Sequence, residues 1–486
     1  MNRASCPAGA DPLPRGPAPR RGAGAPPRPG APMRKSTAFL TSLGLASLVL
    51  GLAELIDDRP SGESATEDAA DAPRRRLVRA AARPIGVADD GVYRTDEVMV
   101  RLQPDTDLDA VAADHDLVVR DRDPAAGLAL VEIPPSVDRA DLLATLSADP
   151  RVRGAMPNAV MRGAGRAARK SGESNNGGGS TSGSGSSTSY VDHQWHLGDI
   201  GLSAATRDLS GVTVAVIDSG VAYEAATVDG VTYAVPPSLQ TTTFVAPRDL
   251  VDDDHQPLDE HQHGTHITSL IASDGAVKGV APGVRIMPIR VLDEHNSGTE
   301  WDLVVGLRWA ISNRADVINM SLAFPPGYVP SDLLQDALQS AADAGIVLVA
   351  ASGNDARSDV PSWPAASPVV IGVGAYVAPA GADDEAATYS NLGTSLDLMA
   401  PGGDLTTDHD KDGLVDGMIG ETISLNDPST VGPWMFAGTS QAAAVVSGAA
   451  AYLIAHGADA DRARAALLHG SNFWGSDSFS AGVGAG

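Results

Sequence analysis

The chain of 486 residues carries a single cysteine, Cys6, so no disulfide can form within it. A segment of about 300 residues hides roughly three quarters of the surface its unfolded chain exposes, so the C-terminal part needs no cross-link. Large exported proteins can do without cystines, and the cysteine count leaves the compartment open. Positive charge is the second scarcity. Residues 190–486 hold 11 basic against 37 acidic side chains, whereas residues 1–189 hold 24 of each, so the formal charge of −26 sits wholly on the C-terminal part. Such a surface repels phosphate backbones and anionic bilayers, which argues against nucleic acid as a partner, and it favours solubility and cation binding. Two catalytic signatures are also missing: the His-Glu-x-x-His pair of zinc peptidases and the Gly-x-Ser-x-Gly elbow of serine esterases.

What is present falls into blocks. Residues 1–32, rich in Pro, Gly and Arg, cannot bury enough apolar area to offset chain ordering and are expected to be disordered or untranslated, so translation starts at Met1 or Met33. Met33 is followed by Arg34, Lys35 and an uncharged, leucine-rich stretch to Ala53. That is the profile of a signal peptide over 33–53, with an uncleaved membrane anchor as the alternative. A polar spacer covers 54–91. Over 92–161 the pattern predicts strands at 97–102 and 127–133 and helices at 108–114 and 138–148, the last behind Asp138 as its cap: a small α+β unit. Residues 162–189 run into an Asn/Gly/Ser tract and read as a flexible, protease-sensitive linker. From 190 to 486, β-branched runs at 212–217, 284–291, 317–320, 346–350 and 369–373 alternate with helical stretches at 300–314 and 331–344. The expectation is an α/β domain of three layers around a mainly parallel sheet.

Three short motifs carry the chemistry. Val216-Ile217-Asp218-Ser219-Gly220 ends a buried strand on an acid, which by itself more often serves a turn. His263-Gly264-Thr265-His266 opens a helix; two histidines three apart also suit a metal, but no glutamate base stands between them. Gly438-Thr439-Ser440 enters an almost wholly apolar segment, where a serine could simply cap a helix. Together they change meaning. A serine hydroxyl is a weak nucleophile that needs an imidazole to take its proton and a buried carboxylate to orient that imidazole. The chain supplies all three in the order Asp, His, Ser.

With Gly279-Val280-Ala281-Pro282, Asn319-Met320-Ser321-Leu322, Ala351-Ser352-Gly353-Asn354 and Ala400-Pro401-Gly402 falling in sequence among them, residues 190 to about 480 resemble the subtilisin-like (subtilase) serine peptidase family. The resemblance implies a triad of Asp218, His263 and Ser440, with Asn354 in the oxyanion hole beside the Ser440 amide. It implies that Ser321-Leu322-Ala323 and Ala351-Ser352-Gly353 flank the substrate as backbone edges and form the primary pocket. It also makes 92–161 similar to an inhibitory propeptide that assists folding and then occupies the cleft. The implied protein is a secreted, self-processing, monomeric endopeptidase acting on protein or peptide substrates and meeting a membrane only if its leader stays on. Three positions depart from the family pattern: Gln262 and Ala323 stand where glycine is common, and Ala444-Val445 stands where Pro-His is usual.

One further motif, Asp408-His409-Asp410-Lys411-Asp412-Gly413-Leu414-Val415-Asp416, sets acids at loop positions one, three, five and nine with glycine at six. It resembles a calcium loop holding the ion through Asp408, Asp410, Asp412 and Asp416, although Ile419 stands where the twelfth-position glutamate would be.

Overall fold

A computed structural model describes residues 38–39, 91–170, 190–201, 208–377, 385–409 and 411–469. The expected signal peptide lies outside them except for Ala38–Phe39, and so do most of the expected spacer and the tract 171–189. Among the described residues no helix is long and apolar enough to cross a membrane.

The N-terminal unit runs β1 (Tyr93–Leu102), α1 (Leu108–Asp114), β2 (Val119–Asp123), β3 (Leu128–Glu132), α2 (Arg139–Ala148) and β4 (Val152–Gly163). Asp138 caps its helix as expected, accepting the Ala140 amide, and Asp107 caps the other by accepting the amides of Asp109 and Ala110. Its own core gathers Val98, Val100, Val131, Leu142 and Leu146 between the helices and the antiparallel strands. Strand β4 does not stop at the expected boundary of 161. It continues through Gly163, and after Ala164 and Gly165 a further strand, β5 (Arg166–Lys170), follows. Both departures have one cause: the chain finds backbone partners on the larger domain, so strands reach into the first nine residues of the expected linker on both sides of Ala164 and Gly165.

The larger domain is built on parallel strands β6 (Thr213–Asp218), β7 (Arg285–Arg290), β9 (Val317–Met320), β11 (Val347–Ala351), β12 (Ile371–Tyr376) and β13 (Leu398–Pro401). Their order across the sheet is β13-β12-β11-β9-β6-β7, extended at its two edges by Ala38–Phe39 and Thr243–Phe244. Helices α3 (His263–Ala272), α4 (Glu300–Ser312), α5 (Asp332–Asp343), α6 (Thr439–Ala455) and α7 (Ala460–His469) complete the layers. Short strands β8 (Ser297–Thr299) and β10 (Leu322–Ala323) and a hairpin of β14 (Met418–Ser424) and β15 (Asp427–Ala437) rim the sheet's carboxyl end.

The central strands are buried on both faces, which explains their unbroken β-branched character. Each fully buried Val or Ile contributes about 1.5–3 kcal/mol. Helix α6 is buried along almost its whole length. Its small residues make that possible: a Cβ on Gly448 would lie 2.6 Å from Cβ of Val280.

The N-terminal unit docks on α4 and α5. Asn158 Oδ1 accepts the amide of Trp301 at 3.1 Å, satisfying a donor that the helix start leaves open. Trp301 Nε1 donates to Asp121 at 2.8 Å, Arg308 pairs with Asp123 at 2.5 Å, and Arg101 pairs with Asp336 at 2.6 Å.

Candidate active site

Asp218 is the last residue of β6, the point at which an open α/β sheet offers side chains to its carboxyl-end crevice. Its Oδ1 accepts from the Ser219 amide and from Nδ1 of His263, both at 2.7 Å. His263 opens α3, and Gly264 lets that helix approach, since a Cβ there would stand 2.1 Å from the Gly220 carbonyl oxygen. The imidazole is wholly buried, which opposes its charging, but the Asp218 carboxylate outweighs that and holds the His263 pKa above the ordinary value. Nε2 of His263 has no hydrogen-bond partner.

The loop leading into α3 is held by Asp259. This buried carboxylate accepts the amides of His261, Gln262 and Thr265 and the hydroxyls of Ser219 and Thr265. Burial raises its pKa against the lowering effect of those donors. The family motifs carry no sign of Asp259; an acid four residues before a helix start is the signal that could have found it. Gln262, between them, sits at φ +76°, the left-handed region, which explains why glycine suits the position.

Ser440 begins the second position of α6, and its hydroxyl donates to the Ser321 carbonyl at 3.1 Å. Asn354 follows Gly353, itself at φ +99°. Oδ1 of Asn354 accepts from both the amide and the hydroxyl of Thr439, each at 3.0 Å, which turns Nδ2 outward. The loop carrying Asn354 is braced by Asn391, whose side chain accepts the amides of Asp355 and Arg357 and donates to the Ser352 carbonyl. Neither Thr439 nor Asn391 was among the sequence candidates for the site, although Thr439 lies within the motif that supplied Ser440.

The chain's own residues 160–165 run through this site. Ser297, Gly298 and Thr299 pair antiparallel with Arg162, Met161 and Val160, while Leu322 and Ala323 pair with Gly163 and Arg162 on the other side. The Ala164 amide donates to the Ser321 carbonyl at 3.0 Å. The Ala164 carbonyl accepts from Nδ2 of Asn354 and, at 3.4 Å, from the Ser440 amide. Gly165 lies against the imidazole so closely that a Cβ on it would be 2.7 Å from Nε2 of His263. Ala323 packs on the buried cluster that contains Ala164 and Ala351, and Ser352 is fixed by its hydroxyl on the Asn391 carbonyl at 2.8 Å. The edges at 297–299 and 322–323, the Ser321 carbonyl, the Asn354 and Ser440 amides and the His263 ring therefore meet around one peptide bond, Ala164–Gly165. Its carbonyl faces two N–H donors and its following residue faces an imidazole.

His266, the second histidine of the motif, is not near that bond. Its ring stacks on Phe436 at 4.1 Å between centroids, and Nε2 contacts the carbonyls of Met418 and Trp434. Burial lowers its pKa to about 3, so it stays neutral. The two histidines do not form a metal pair.

The acidic loop folds largely on itself. The His409 amide donates to Asp416 at 2.5 Å, the Gly413 amide to Asp408 at 3.1 Å and the Leu414 amide to Asp412 at 2.8 Å, with His193 also on Asp412. Asp408 keeps one buried oxygen without a partner, a hard donor that fits a calcium ligand. Asp410 lies outside the described residues, and among those described no group of three or more His, Cys, Asp or Glu side chains gathers as a metal site would.

Comparison with known proteins agrees with this geometry. Residues 209–486 match the model of the Subtilase family, and residues 79–158 match that of the Fervidolysin N-terminal prodomain. The thermophilic serine proteinase of Bacillus sp. (strain AK1) is 33% identical over 227 residues, covering 46% of this chain and 50% of that protein. Subtilisin NAT of Bacillus subtilis subsp. natto is 37% identical over 201 residues, covering 40% of this chain and 47% of that protein. The matches thus span about half the length of these relatives. Among solved structures, fervidolysin from Fervidobacterium pennivorans, described as a keratinolytic enzyme related to subtilisin, superposes with a TM-score of 0.57. The identity is 21%, with 76% of this chain and 56% of that chain covered, a likeness of fold.

Proposed function

The chain belongs to the subtilase family, and from that premise we propose that it is a serine endopeptidase made as a proenzyme, which cuts its own Ala164–Gly165 bond before hydrolysing other proteins. One observation carries the reading: the Ala164 carbonyl lies between Nδ2 of Asn354 and the Ser440 amide, with the His263–Asp218 pair on the far side of the bond.

The steps follow from that seat. Oγ of Ser440 leaves the Ser321 carbonyl and attacks the Ala164 carbonyl carbon while Nε2 of His263 takes its proton. The Asn354 and Ser440 donors hold the charge that develops on oxygen, and Asp218 stabilises the imidazolium. His263 then hands the proton to the nitrogen of Gly165, the residue its ring lies beside, and the C–N bond breaks. Water, deprotonated by the same imidazole, releases the acyl group from Ser440. The unit 92–161, continued by the residues up to Ala164, acts as the intramolecular inhibitor that fills the cleft, and the paired segment up to Lys170 supports a cut inside the expected 162–189 junction. Small neutral walls at 321–323 and 351–353 support tolerance of apolar residues before the scissile bond. The profile at 33–53 supports export with removal of the leader, and a monomer suffices because every catalytic group comes from one chain. A structural calcium ion in the loop 408–416, held by Asp408, Asp410, Asp412 and Asp416, completes the proposal; it would neutralise clustered acids there, and a fall in melting temperature with chelator would register its loss.

The test pairs the wild-type chain with Ser440→Ala. A fluorophosphonate probe is expected to label only the wild type, and N-terminal sequencing of the matured wild type is expected to begin at Gly165 while Ser440→Ala stays intact. Equal labelling of both, or identical processing of both, would overturn the reading.

A further inference from the structure

Gln262, in its left-handed turn, is flanked by two histidines, His261 and His263, and Asp259 pins the turn by accepting the amides of His261 and Gln262. The turn delivers both imidazoles to one cavity, shared with Asn296, Leu425 and Phe436. Their ring centroids stand 6.3 Å apart, with the planes inclined at 53°. The catalytic reading uses only one of these rings.

An imidazole binds a metal through a free lone pair on one nitrogen, and it gains basicity when the other nitrogen donates to a carboxylate. His263 meets both conditions, with Nδ1 paired to Asp218 at 2.7 Å and Nε2 without a partner. In His261, Nδ1 is likewise buried without a partner. Burial, reinforced by the charge of His263, lowers the His261 pKa to about 4, so this ring is neutral and takes up a metal without first losing a proton. Zn–N bonds of about 2.0–2.1 Å put each ring centre roughly 3.2 Å from a shared ion, so two rings on one zinc stand about 5–6.4 Å apart. The observed 6.3 Å falls at the wide end of that span, and a small turn of the His261 ring shortens it.

Resting on the peptidase reading above, we propose that His261 and His263 of the processed enzyme form a two-imidazole clip for zinc, through which the metal reversibly switches the enzyme off. Nε2 of His263 is both the acceptor for the Ser440 proton and the ligand, so an occupied clip leaves Oγ without its base. Among the described residues no group of three or more His, Cys, Asp or Glu side chains gathers here. The clip therefore has two protein ligands, with water in the remaining positions, and holds zinc less tightly than a closed structural site of four. Calcium and magnesium, which prefer oxygen ligands, pass it by. In the proform Gly165 lies against Nε2 of His263, so zinc acts only after Ala164–Gly165 is cut and the segment behind it has left.

The test follows hydrolysis of a p-nitroanilide carrying Met161–Ala164 by the processed protein, above the His263 pKa, against rising zinc chloride. Zinc is expected to inhibit in competition with substrate, because a bound chain covers Nε2 as Gly165 does. Calcium-saturated EDTA, which takes up zinc and leaves calcium in place, should restore the rate, and calcium or magnesium chloride at the same concentrations should not inhibit. His261→Gln keeps the loop amide and removes one ligand. Measured against its own zinc-free rate, it should need about tenfold more zinc or more for half inhibition, at least the loss that follows removal of an outer-shell partner. Absence of zinc inhibition, inhibition that calcium matches, or a His261→Gln protein as sensitive as the wild type would overturn the clip. A processed protein inactive on this substrate without zinc would instead sink the hydrolase reading and this proposal with it.

Discussion

Thr439 donates both its amide and its hydroxyl to the single oxygen Oδ1 of Asn354, each at 3.0 Å. A side-chain amide is rotationally ambiguous until its neighbours choose for it, and here a backbone N–H, which can only donate, chooses. Nδ2 is thereby aimed at the Ala164 carbonyl. Asn354→Leu should lower kcat about a hundred- to a thousandfold, the loss that removal of this donor causes in subtilisin itself. Thr439→Val, which keeps the amide and deletes the hydroxyl, should lower kcat by about tenfold with KM unchanged. Thr439→Ser should restore it. Steady-state kinetics on a p-nitroanilide separate this from a packing defect, which Thr439→Ser would not repair.

Gly165 should be indispensable for maturation. A Cβ there would stand 2.5 Å from Cδ2 and 2.7 Å from Nε2 of an imidazole that Asp218 holds in place. At Gly163 the obstacle is the Asn296 side chain at 2.3 Å, which can turn aside. Conversion of the proform, followed by gel over time, is therefore expected to stall in Gly165→Val and only to slow in Gly163→Ala. Conversion of the valine variant at the wild-type rate would refute the demand for glycine at 165, and a new N-terminus at another residue would exclude Ala164–Gly165 as the bond cut.

Gln262 holds a left-handed backbone that costs a side-chain-bearing residue about 1–2 kcal/mol, and its Oε1 is buried without a partner. Gln262→Gly should thus be neutral or stabilising by up to about 1 kcal/mol, whereas Gln262→Val should destabilise by roughly 1–3 kcal/mol. Thermal unfolding in a Ser440→Ala background avoids self-digestion, and each kcal/mol moves the midpoint by roughly 2–4 °C in a domain this large. Equal midpoints for glycine and valine would refute the strain.

Acid should weaken the fold through His196 and His266. Burial lowers both pKa values to about 3, and neither ring nitrogen of His196 has a hydrogen-bond partner. The folded chain favours the neutral rings, so their contribution is complete above pH 6.5, where the unfolded rings are neutral too, and is lost as pH falls from 6.5 towards 3. Each histidine adds a slope of about 1.4 kcal/mol per pH unit in that window, to order of magnitude. In the Ser440→Ala background, His196→Leu should flatten the decline in melting temperature between pH 6.5 and 4. An unchanged slope would mean that His196 takes up no proton on unfolding.

Those features differ in how far the sequence alone reveals them. The strand ending on Asp218, the helix opening on His263 and the apolar helix behind Ser440 were all legible, because hydrophobic patterning and motif order are local. Helix bounds at 108–114 and 139–148 came out close to expectation, since aspartates mark two of their starts. What local pattern cannot carry is pairing between distant segments. Ala164 and Gly165 look like any loop dipeptide, and only the edges of β8 and β10, more than a hundred residues away, give them their place. Asp259 is a mixed case: four of its five donors, on His261, Gln262 and Thr265, are local, and only the Ser219 hydroxyl comes from a distant segment. The loop 408–416 is the reverse case. Its spacing is legible as a cation loop, whereas the bonds that engage many of its described oxygens, from the loop's own amides and from His193, are not.

Strand β4 changes allegiance at Val160: its amide still donates to the Val92 carbonyl of the N-terminal unit, while it already pairs with Thr299 of the larger domain. Five residues later comes the bond on Ser440. At about 3.4 Å per residue that stretch works as a measuring rod, anchored at one end by the docked sheet. An added residue there would turn every side chain to the opposite face, and two would restore the faces but present a different bond. On the proposed reading the point of scission is thus written in distance from the anchor, which leaves the junction's sequence free to vary wherever glycine is not demanded.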